Sequence, residues 1–178
     1  MKTFHYTLPV VKLSSAWITI YAGDENGEPA GSIRRCYRNR LSQLICWAMD
    51  SYDMNIEGQD ANHAQAVQLI DRHIWLGRNK WNAAILENGQ ETSAQVNDIT
   101  KIKLNPRFEI LWEDRTLDLT RELLHRRTVV TERESGLEIA VIQFGKGLDY
   151  RRRSITINEE GLCPILTACL DYLMVKVY

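Results

Sequence analysis

The sequence predicts a mainly β (α+β) fold: a closed antiparallel β-barrel around a buried hydrophobic C-terminal helix, plus one amphipathic surface helix. Two observations predict it. Nearly every residue of 162–175 is apolar, and short β-branched segments alternate with turns that contain acidic residues and glycine. A helix that is apolar on all sides must be surrounded, and many short strands with hairpin turns favour a barrel or sandwich. A barrel that encloses the helix satisfies both requirements.

The C-terminal helix is predicted over residues 162–175, where Pro164 suits the first helical position. Asp171 interrupts the apolar run and Lys176 follows it, so the run is shorter than the roughly 20 residues that span a bilayer. The helix is therefore predicted to lie inside the fold. A lone carboxylate in such a helix is costly to bury unless it is paired. Asp171 is interpreted as paired at the barrel mouth, or alternatively as a functional group facing a cavity.

The N-terminal part of the chain is predicted to form strands. Residues 4–11 form an extended piece, and residues 16–21 form a strand that enters the turn 24–27, where Asn-Gly indicates a hairpin. Residues 31–38 form the return strand. Residues 41–56 are apolar without a clear period, and strand is favoured there.

Residues 60–77 interrupt the strand pattern and predict the surface helix. Ala64, Val67, Ile70 and Ile74 recur at helical spacing. Asp60 is suited to cap the start and Gly77 to end it.

Further strands are predicted along the rest of the chain, with acidic or Asn-Gly turns near 87–89 and 132–136. Residues 115–127 fit neither period and stay unassigned, and 159–161 are predicted to open the final helix. The remaining predicted strands are 81–86, 100–104, 108–112, 129–131, 137–144 and 150–157.

The composition limits the number of domains, the class of partner and the compartment that can be expected. The 178 residues fit a single domain, 1–178. Lys plus Arg total 22 against 23 for Asp plus Glu, so no global positive field favours nucleic acid. Four cysteines without a CxxC pair predict free thiols in a reducing compartment. With no signal peptide or transmembrane segment in the sequence, we predict a cytoplasmic protein, with peripheral attachment to a membrane left open.

The ordered set of strands and the terminal helix resembles the tubby C-terminal-like superfamily, which includes LURP-one-related proteins and phospholipid scramblases. The resemblance rests on residues 18–33, on 129–142 and on 154–175. It implies an antiparallel barrel around a buried C-terminal helix and a binding role, since tubby proteins bind phosphoinositides through basic residues outside the barrel. No site residue can be transferred by alignment. The segment 114–118 lacks the oxygen ligands of a calcium loop, so calcium-dependent scrambling is not carried over.

No motif predicts an enzyme, and no cofactor or metal site is expected. The sequence has no GxGxxG, P-loop, HExxH or GxSxG. On a helix, His63 and His73 would lie about 80° apart, which does not suit a shared metal. Asp50 and Asp53 resemble a carboxylate pair, but without a nucleophile or cleft a solvated turn is the simpler interpretation.

The arginines are the best functional clue, because 15 of the 22 basic residues are arginine. We predict a phosphate or anionic-lipid site at Arg34, Arg38, Arg151 and Arg152, since guanidinium groups bind phosphate bidentately. Solvated charges paired with glutamate are the plainer interpretation. Three functions stay open: binding of anionic headgroups or phosphorylated ligands, a protein-interaction scaffold that uses exposed aromatic residues and the 60–77 helix, and an enzyme or ligand carrier.

Overall fold

The computed structural model describes residues 1–11, 14–24, 27–48, 52–73, 77–87, 89–158 and 162–178. It shows a closed antiparallel barrel of twelve strands and two α-helices, which confirms the predicted fold class. The strands are β1 (Lys2–Thr7), β2 (Ile18–Ala22), β3 (Pro29–Cys36), β4 (Asn55–Asp60), β5 (Gln65–Asp71), β6 (Lys80–Glu87), β7 (Gln90–Asp98), β8 (Arg107–Trp112), β9 (Arg115–Glu122), β10 (Arg127–Glu132), β11 (Glu138–Phe144) and β12 (Arg152–Ile157). The helices are α1 (Arg40–Ala48) and α2 (Pro164–Val177).

The sheet follows chain order around the barrel, and β1 closes it against β12. This closing pair is antiparallel and runs from Lys2 opposite Ile157 to Thr7 opposite Arg152. Closure leaves no long free edge and turns one face of every strand inward. The core is made of these inward side chains, among them Ile20, Ile33 and Phe108.

Helix α2 fills the barrel. All residues from Ile165 to Met174 are buried, and Pro164 occupies the first turn as predicted. Gly58 of β4 allows the helix to approach the wall, since a Cβ there would lie 2.4 Å from a methyl carbon of Ile165. The helix therefore packs tightly against the β3–β5 side of the barrel.

The predicted surface helix over 60–77 is wrong. Residues 55–71 form the hairpin of β4 and β5, and Val67 and Leu69 point inward with the period of a strand. Asp60 does not cap a helix. Its carboxylate accepts hydrogen bonds from the backbone N–H groups of Asn62 and Ala64, which hold a tight turn.

The second helix lies in the segment for which strand was favoured. Residues 40–48 form α1, and strand begins only at Asn55, so the interpretation of 41–56 is wrong for its first half. The side chain of Asn39 accepts a 2.7 Å hydrogen bond from the backbone N–H of Ser42, which is the pattern of a helix N-cap.

The predicted strand over 100–104 is also wrong. These residues form an exposed turn, and the strand lies earlier, in β7. Few apolar residues mark β7, so its sequence resembles a polar loop. The unassigned segment 115–127 contains β9, whose Leu117, Leu119 and Arg121 point inward.

The other predicted strands are present within a few residues of the expected bounds. The turns near 24–27, 87–89 and 132–136 join β2 to β3, β6 to β7 and β10 to β11. The predictions that concern Asn26, Asp50, Ile74, Asn88 and residues 159–161 lie outside the described residues. The four cysteines are free thiols, as expected.

Candidate functional site

The two ends of the barrel differ in their loops. Because neighbouring strands are antiparallel, every connection from an odd-numbered to an even-numbered strand lies at one end. We call this the long-loop end; it consists of 8–17, 37–54, 72–79, 99–106, 123–126 and 145–151. The opposite, short-turn end consists of 23–28, 61–64, 88–89, 113–114, 133–137 and 158–163.

The long-loop end is basic. Among the described residues of its six loops, two are acidic, Asp53 and Asp149, and nine carry lysine or arginine side chains. The nine are Arg38, Arg40, Arg72, Arg78, Lys101, Lys103, Arg126, Lys146 and Arg151.

The short-turn end has the opposite charge. Its described loop residues include one basic side chain, Arg133, and five acidic ones: Asp24, Glu28, Glu113, Asp114 and Glu134. A chain with a net charge of −1 therefore has a strong electrostatic axis along the barrel. Such segregation creates local fields that the total charge does not reveal.

Asp171 of α2 lies in a buried charge cluster beneath the long-loop end. Its carboxylate accepts a 2.6 Å hydrogen bond from the hydroxyl of Tyr6 and lies 3.1 Å from guanidinium nitrogens of both Arg121 and Arg153. Phe144 stacks beneath both guanidinium groups, at 5.3 and 4.4 Å from its ring centroid. The pairing expected for Asp171 is therefore present.

The cluster keeps Asp171 ionised. Burial would raise the pKa of its carboxyl group, but Arg121, Arg153 and the Tyr6 hydroxyl outweigh burial and lower the pKa. Burial, and next the Asp171 charge, raise the pKa of Tyr6 well above its ordinary value. Two arginines against one aspartate leave excess positive charge inside this end of the barrel. The sequence analysis did not identify Tyr6 and Arg121 as partners of Asp171. For Arg121 a signal was available, because it follows Leu117 and Leu119 at the two-residue spacing of inward positions on a strand.

Arg34 lies near the end of β3 on the outer face. It forms an ion pair with Glu57 of β4, and its guanidinium carbon lies 4.3 Å from the ring centroid of Trp17. Its side chain is 38% exposed, so part of the guanidinium group stays accessible while the charge is partly compensated.

Arg38 follows β3 and forms an ion pair with Asp53, at 3.2 Å. Asp53 is fully buried and also lies 3.2 Å from the imidazole of His73. Burial would raise the pKa of Asp53, but hydrogen bonds from Asn55, Ser42 and Arg38 lower it. Arg38 thus compensates a buried charge as well as presenting its side chain to solvent.

Arg151 and Arg152 lie at the start of β12. Arg151 donates a 3.3 Å hydrogen bond to the carbonyl of Leu8, and Arg152 lies 3.6 Å from the carboxylate of Asp149. Arg152 is about half exposed. Their neighbour Arg153 points inward and donates a 3.1 Å hydrogen bond to Asp171.

The four predicted arginines share one end of the barrel without meeting in one pocket. Between β3 and β12 lie β2 and β1. At about 4.8 Å per strand, the two pairs are separated by roughly 14 Å along the wall. A single phosphate cannot contact both pairs, whereas a surface that carries many phosphates can.

Comparison with protein-family models decides the relationship of the chain. The model of the Tubby C-terminal like domain matches residues 4–178, which is almost the whole sequence.

The chain belongs to the Tubby C-terminal-like domain family.

Comparison with curated proteins returned no match, and comparison with solved structures returned none either. Membership of the Tubby C-terminal-like family suggests a non-enzymatic binding module, because the family is generally non-enzymatic and its members bind lipids or proteins.

Two further features of this Tubby C-terminal-like domain concern metals and membranes. In the part of the chain that the structure describes, no three His, Cys, Asp or Glu residues are grouped so that they could hold a metal ion. None of the helices formed by these described residues has the length and apolar character needed to cross a bilayer.

Proposed function

We propose that this domain is a non-enzymatic binding module that recognises phosphate-bearing anionic groups at its long-loop end. The observation that carries the proposal is the charge segregation along the barrel, which places basic loops at one end and acidic turns at the other. The groups could belong to lipid headgroups or to phosphorylated soluble ligands, since both offer the same oxygen acceptors to guanidinium groups. In this proposal the protein is cytoplasmic and associates peripherally with a membrane.

Arg34, Arg38, Arg151 and Arg152 contribute to this surface. Three of them have carboxylate partners, so an anionic ligand would share or displace those partners. A basic residue near an anionic surface contributes about 1 kcal/mol. Several exposed basic residues together therefore give measurable attachment even though each is weak.

The test compares vesicles with and without phosphatidylserine by co-sedimentation. Anionic vesicles should bind the protein and neutral ones should not. Binding should weaken with salt, because the Debye length falls from about 30 Å at 0.01 M to about 3 Å at 1 M. A soluble inositol phosphate, added as a competitor, distinguishes a free phosphorylated ligand from a lipid surface. Equal sedimentation with both vesicle types at low salt, together with no binding of the inositol phosphate, would overturn the proposal.

Variants locate the surface. The triple variant Arg34→Gln, Arg151→Gln, Arg152→Gln should weaken anionic-vesicle binding at least about tenfold. The matched triple Arg→Lys variant keeps the charge, so it should retain vesicle binding but lose bidentate recognition of a soluble phosphate. Arg38→Gln is tested separately, and its melting temperature is measured together with its vesicle binding. The substitution removes a positive partner of the buried Asp53 carboxylate, so it can also change stability.

A protein-interaction scaffold is the second candidate function. The 60–77 helix that this hypothesis used is absent, but Leu41 and Leu44 are exposed on α1 at the long-loop end. If vesicles and inositol phosphate both fail to bind, Leu41→Ser and Leu44→Ser variants would test this face against a candidate protein partner.

A further inference from the structure

Two neighbouring loops of the long-loop end expose large apolar side chains. In loop 99–106, Ile102 is 66% and Leu104 is 74% exposed; in loop 123–126, Leu123 is 46% and Leu124 is 96% exposed. We call these four residues the apolar tip. Contiguous exposed apolar residues of this size are unusual on a protein surface and indicate an interaction site.

The two loops form one feature. They connect β7 to β8 and β9 to β10, which are consecutive around the barrel, and Leu104, Leu123 and Leu124 line the same crevice. The backbone N–H of Arg121 donates a 3.0 Å hydrogen bond to the carbonyl of Pro106, which ties the base of one loop to the other. Leu104, Leu123 and Leu124 therefore lie together, and Ile102 is exposed in the same loop as Leu104.

Local hydrogen bonds fix the shape of each loop. The N–H of Asn105 donates to the carbonyl of Ile102 at 2.9 Å, and the N–H of Arg126 donates to the carbonyl of Leu123 at 3.2 Å. Arg126 has a positive φ of 52°, which completes the tight turn that directs Leu124 outward. The exposure of the tip thus follows from the turn geometry.

Basic residues alternate with the apolar ones. Lys101 and Lys103 flank Ile102, and Arg126 follows the two leucines. Among the described residues, no carboxylate lies within 4 Å of these three cations. Two acidic residues lie at the base of the tip: Glu122 is paired with Arg127 at 2.6 Å, and Asp98 accepts a 2.7 Å hydrogen bond from the hydroxyl of Tyr178. The tip therefore combines apolar side chains with basic ones that have no carboxylate partner in the described part of the chain.

We infer that the apolar tip inserts into the interfacial region of an anionic bilayer, with its lysines and Arg126 at the headgroup level. This inference rests on the proposed function and assigns the anionic groups to a membrane. A bilayer interface accepts apolar side chains beside basic ones that stay at the headgroup level, and the tip carries both kinds. The roughly 14 Å between the two arginine pairs is compatible with the same occupant, because a lipid surface offers many phosphates and a single phosphate cannot contact both pairs.

Insertion also defines the orientation of the barrel. Other exposed apolar residues lie in the loops of the same end of the barrel: Val10, Val11, Leu41, Leu44 and Tyr150. The acidic short-turn end then faces away from the negative surface, which electrostatic repulsion requires. The first turn of α2 then lies at the end of the barrel that faces away from the membrane, and its last turn lies at the end that faces the membrane.

The first experiment removes the tip without changing charge. In the double variant Ile102→Ser, Leu124→Ser, affinity for phosphatidylserine vesicles should fall about tenfold or more, since each residue loses its transfer from water to the bilayer interface. Binding of soluble inositol phosphate should be unchanged. Leu137→Ser is the matched control, because Leu137 is 64% exposed at the short-turn end; its vesicle affinity should equal that of the unmodified protein.

The second experiment measures insertion directly. Leu124→Trp and Leu137→Trp variants are mixed with phosphatidylserine vesicles that contain lipids brominated on the acyl chain. Bromine quenches the fluorescence only of indoles that reach the acyl region. Compared with the unmodified protein, the Leu124→Trp variant should therefore show additional fluorescence that the brominated lipids quench, and the Leu137→Trp variant should not.

The outcomes separate this inference from the function on which it rests. Tip-dependent affinity with quenching at position 124 supports insertion. Anionic-vesicle binding that is unchanged in the serine double variant, without quenching at 124, overturns insertion and leaves the proposed function standing. Failure of anionic vesicles to bind at all overturns insertion, and inositol phosphate binding then decides whether the proposed function stands for a soluble ligand.

Discussion

The hydroxyl of Tyr6 donates a 2.6 Å hydrogen bond to the carboxylate of Asp171, which joins the first strand to the last helix across 165 residues. Arg121 from β9 and Arg153 from β12 contact the same carboxylate. The hydroxyl of Thr128 from β10 donates a further 3.4 Å hydrogen bond to it, so one buried side chain of the central helix is connected to four separate strands of the wall. This cluster fixes the rotation and depth of the helix within the barrel.

Replacing Asp171 by Asn should destabilise the fold by about 3–5 kcal/mol, because two buried guanidinium groups lose their counter-charge. Tyr6→Phe removes one hydrogen bond to a charged group and should cost less, about 1.5–3 kcal/mol. Urea unfolding followed by circular dichroism measures both. Similar small losses in the two variants would show that the cluster does not depend on the carboxylate charge.

Stability should decrease in acid. The pKa of Asp171 is lowered in the folded state, because Arg121, Arg153 and Tyr6 outweigh burial, and the pKa of Asp53 is lowered as well. The unfolded chain then binds protons first, so this stability is complete above about pH 4, near the pKa of unfolded Asp, and is lost as pH falls through the lower folded values. Urea midpoints between pH 7 and pH 2 test this. In Asp171→Asn the urea midpoint should fall less steeply as the pH is lowered. An unchanged dependence on pH would contradict the assignment of this acid sensitivity to Asp171.

Gly58→Ala should destabilise the barrel by about 1–3 kcal/mol, because the new Cβ would overlap the Ile165 side chain and meet the thiol of Cys169 at 3.2 Å. Ile165→Ala removes the overlap, so the double variant should be more stable than the sum of the single losses predicts. Gly136→Ala is the control. Its Cβ would have no neighbour within 4 Å, so it should show no coupling to Ile165.

The cysteines should react slowly with thiol reagents in the native protein. Burial raises the pKa of Cys36 to about 11 and also raises the pKa of Cys163 and Cys169. Little thiolate, the reactive form, is present at neutral pH. Ellman's reagent should therefore release colour slowly in buffer and rapidly in urea. Fast release by the native protein would mean that a thiol is more accessible than its burial indicates.

The barrel and its central helix could be predicted because their signals are local. An apolar run without a polar face has few structural solutions, and repeated turns indicate hairpins. The surface helix could not be placed correctly, since the spacing of Ala64, Val67 and Ile70 fits a helix while Val67 and Leu69 equally fit a strand. The hydrogen bonds of Asp60 to its own turn decide the matter, and the sequence does not reveal them.

The candidate site depended on topology. Arg34, Arg38, Arg151 and Arg152 were recognisable as arginines in strands, but their shared end and their separation follow from strand order. Residues 100–104 were interpreted as a strand because apolar and basic residues alternate there. The structure exposes both kinds, and this same alternation now defines the apolar tip.

The position of α2 in the chain has a consequence for synthesis. All twelve strands leave the ribosome before residues 164–177, which supply the filling of the barrel, and β1 must wait for β12 before the wall can close. Until then the inner faces of the strands remain exposed, and such surfaces are prone to aggregation. We expect the nascent chain to be a client of chaperones until its last helix emerges.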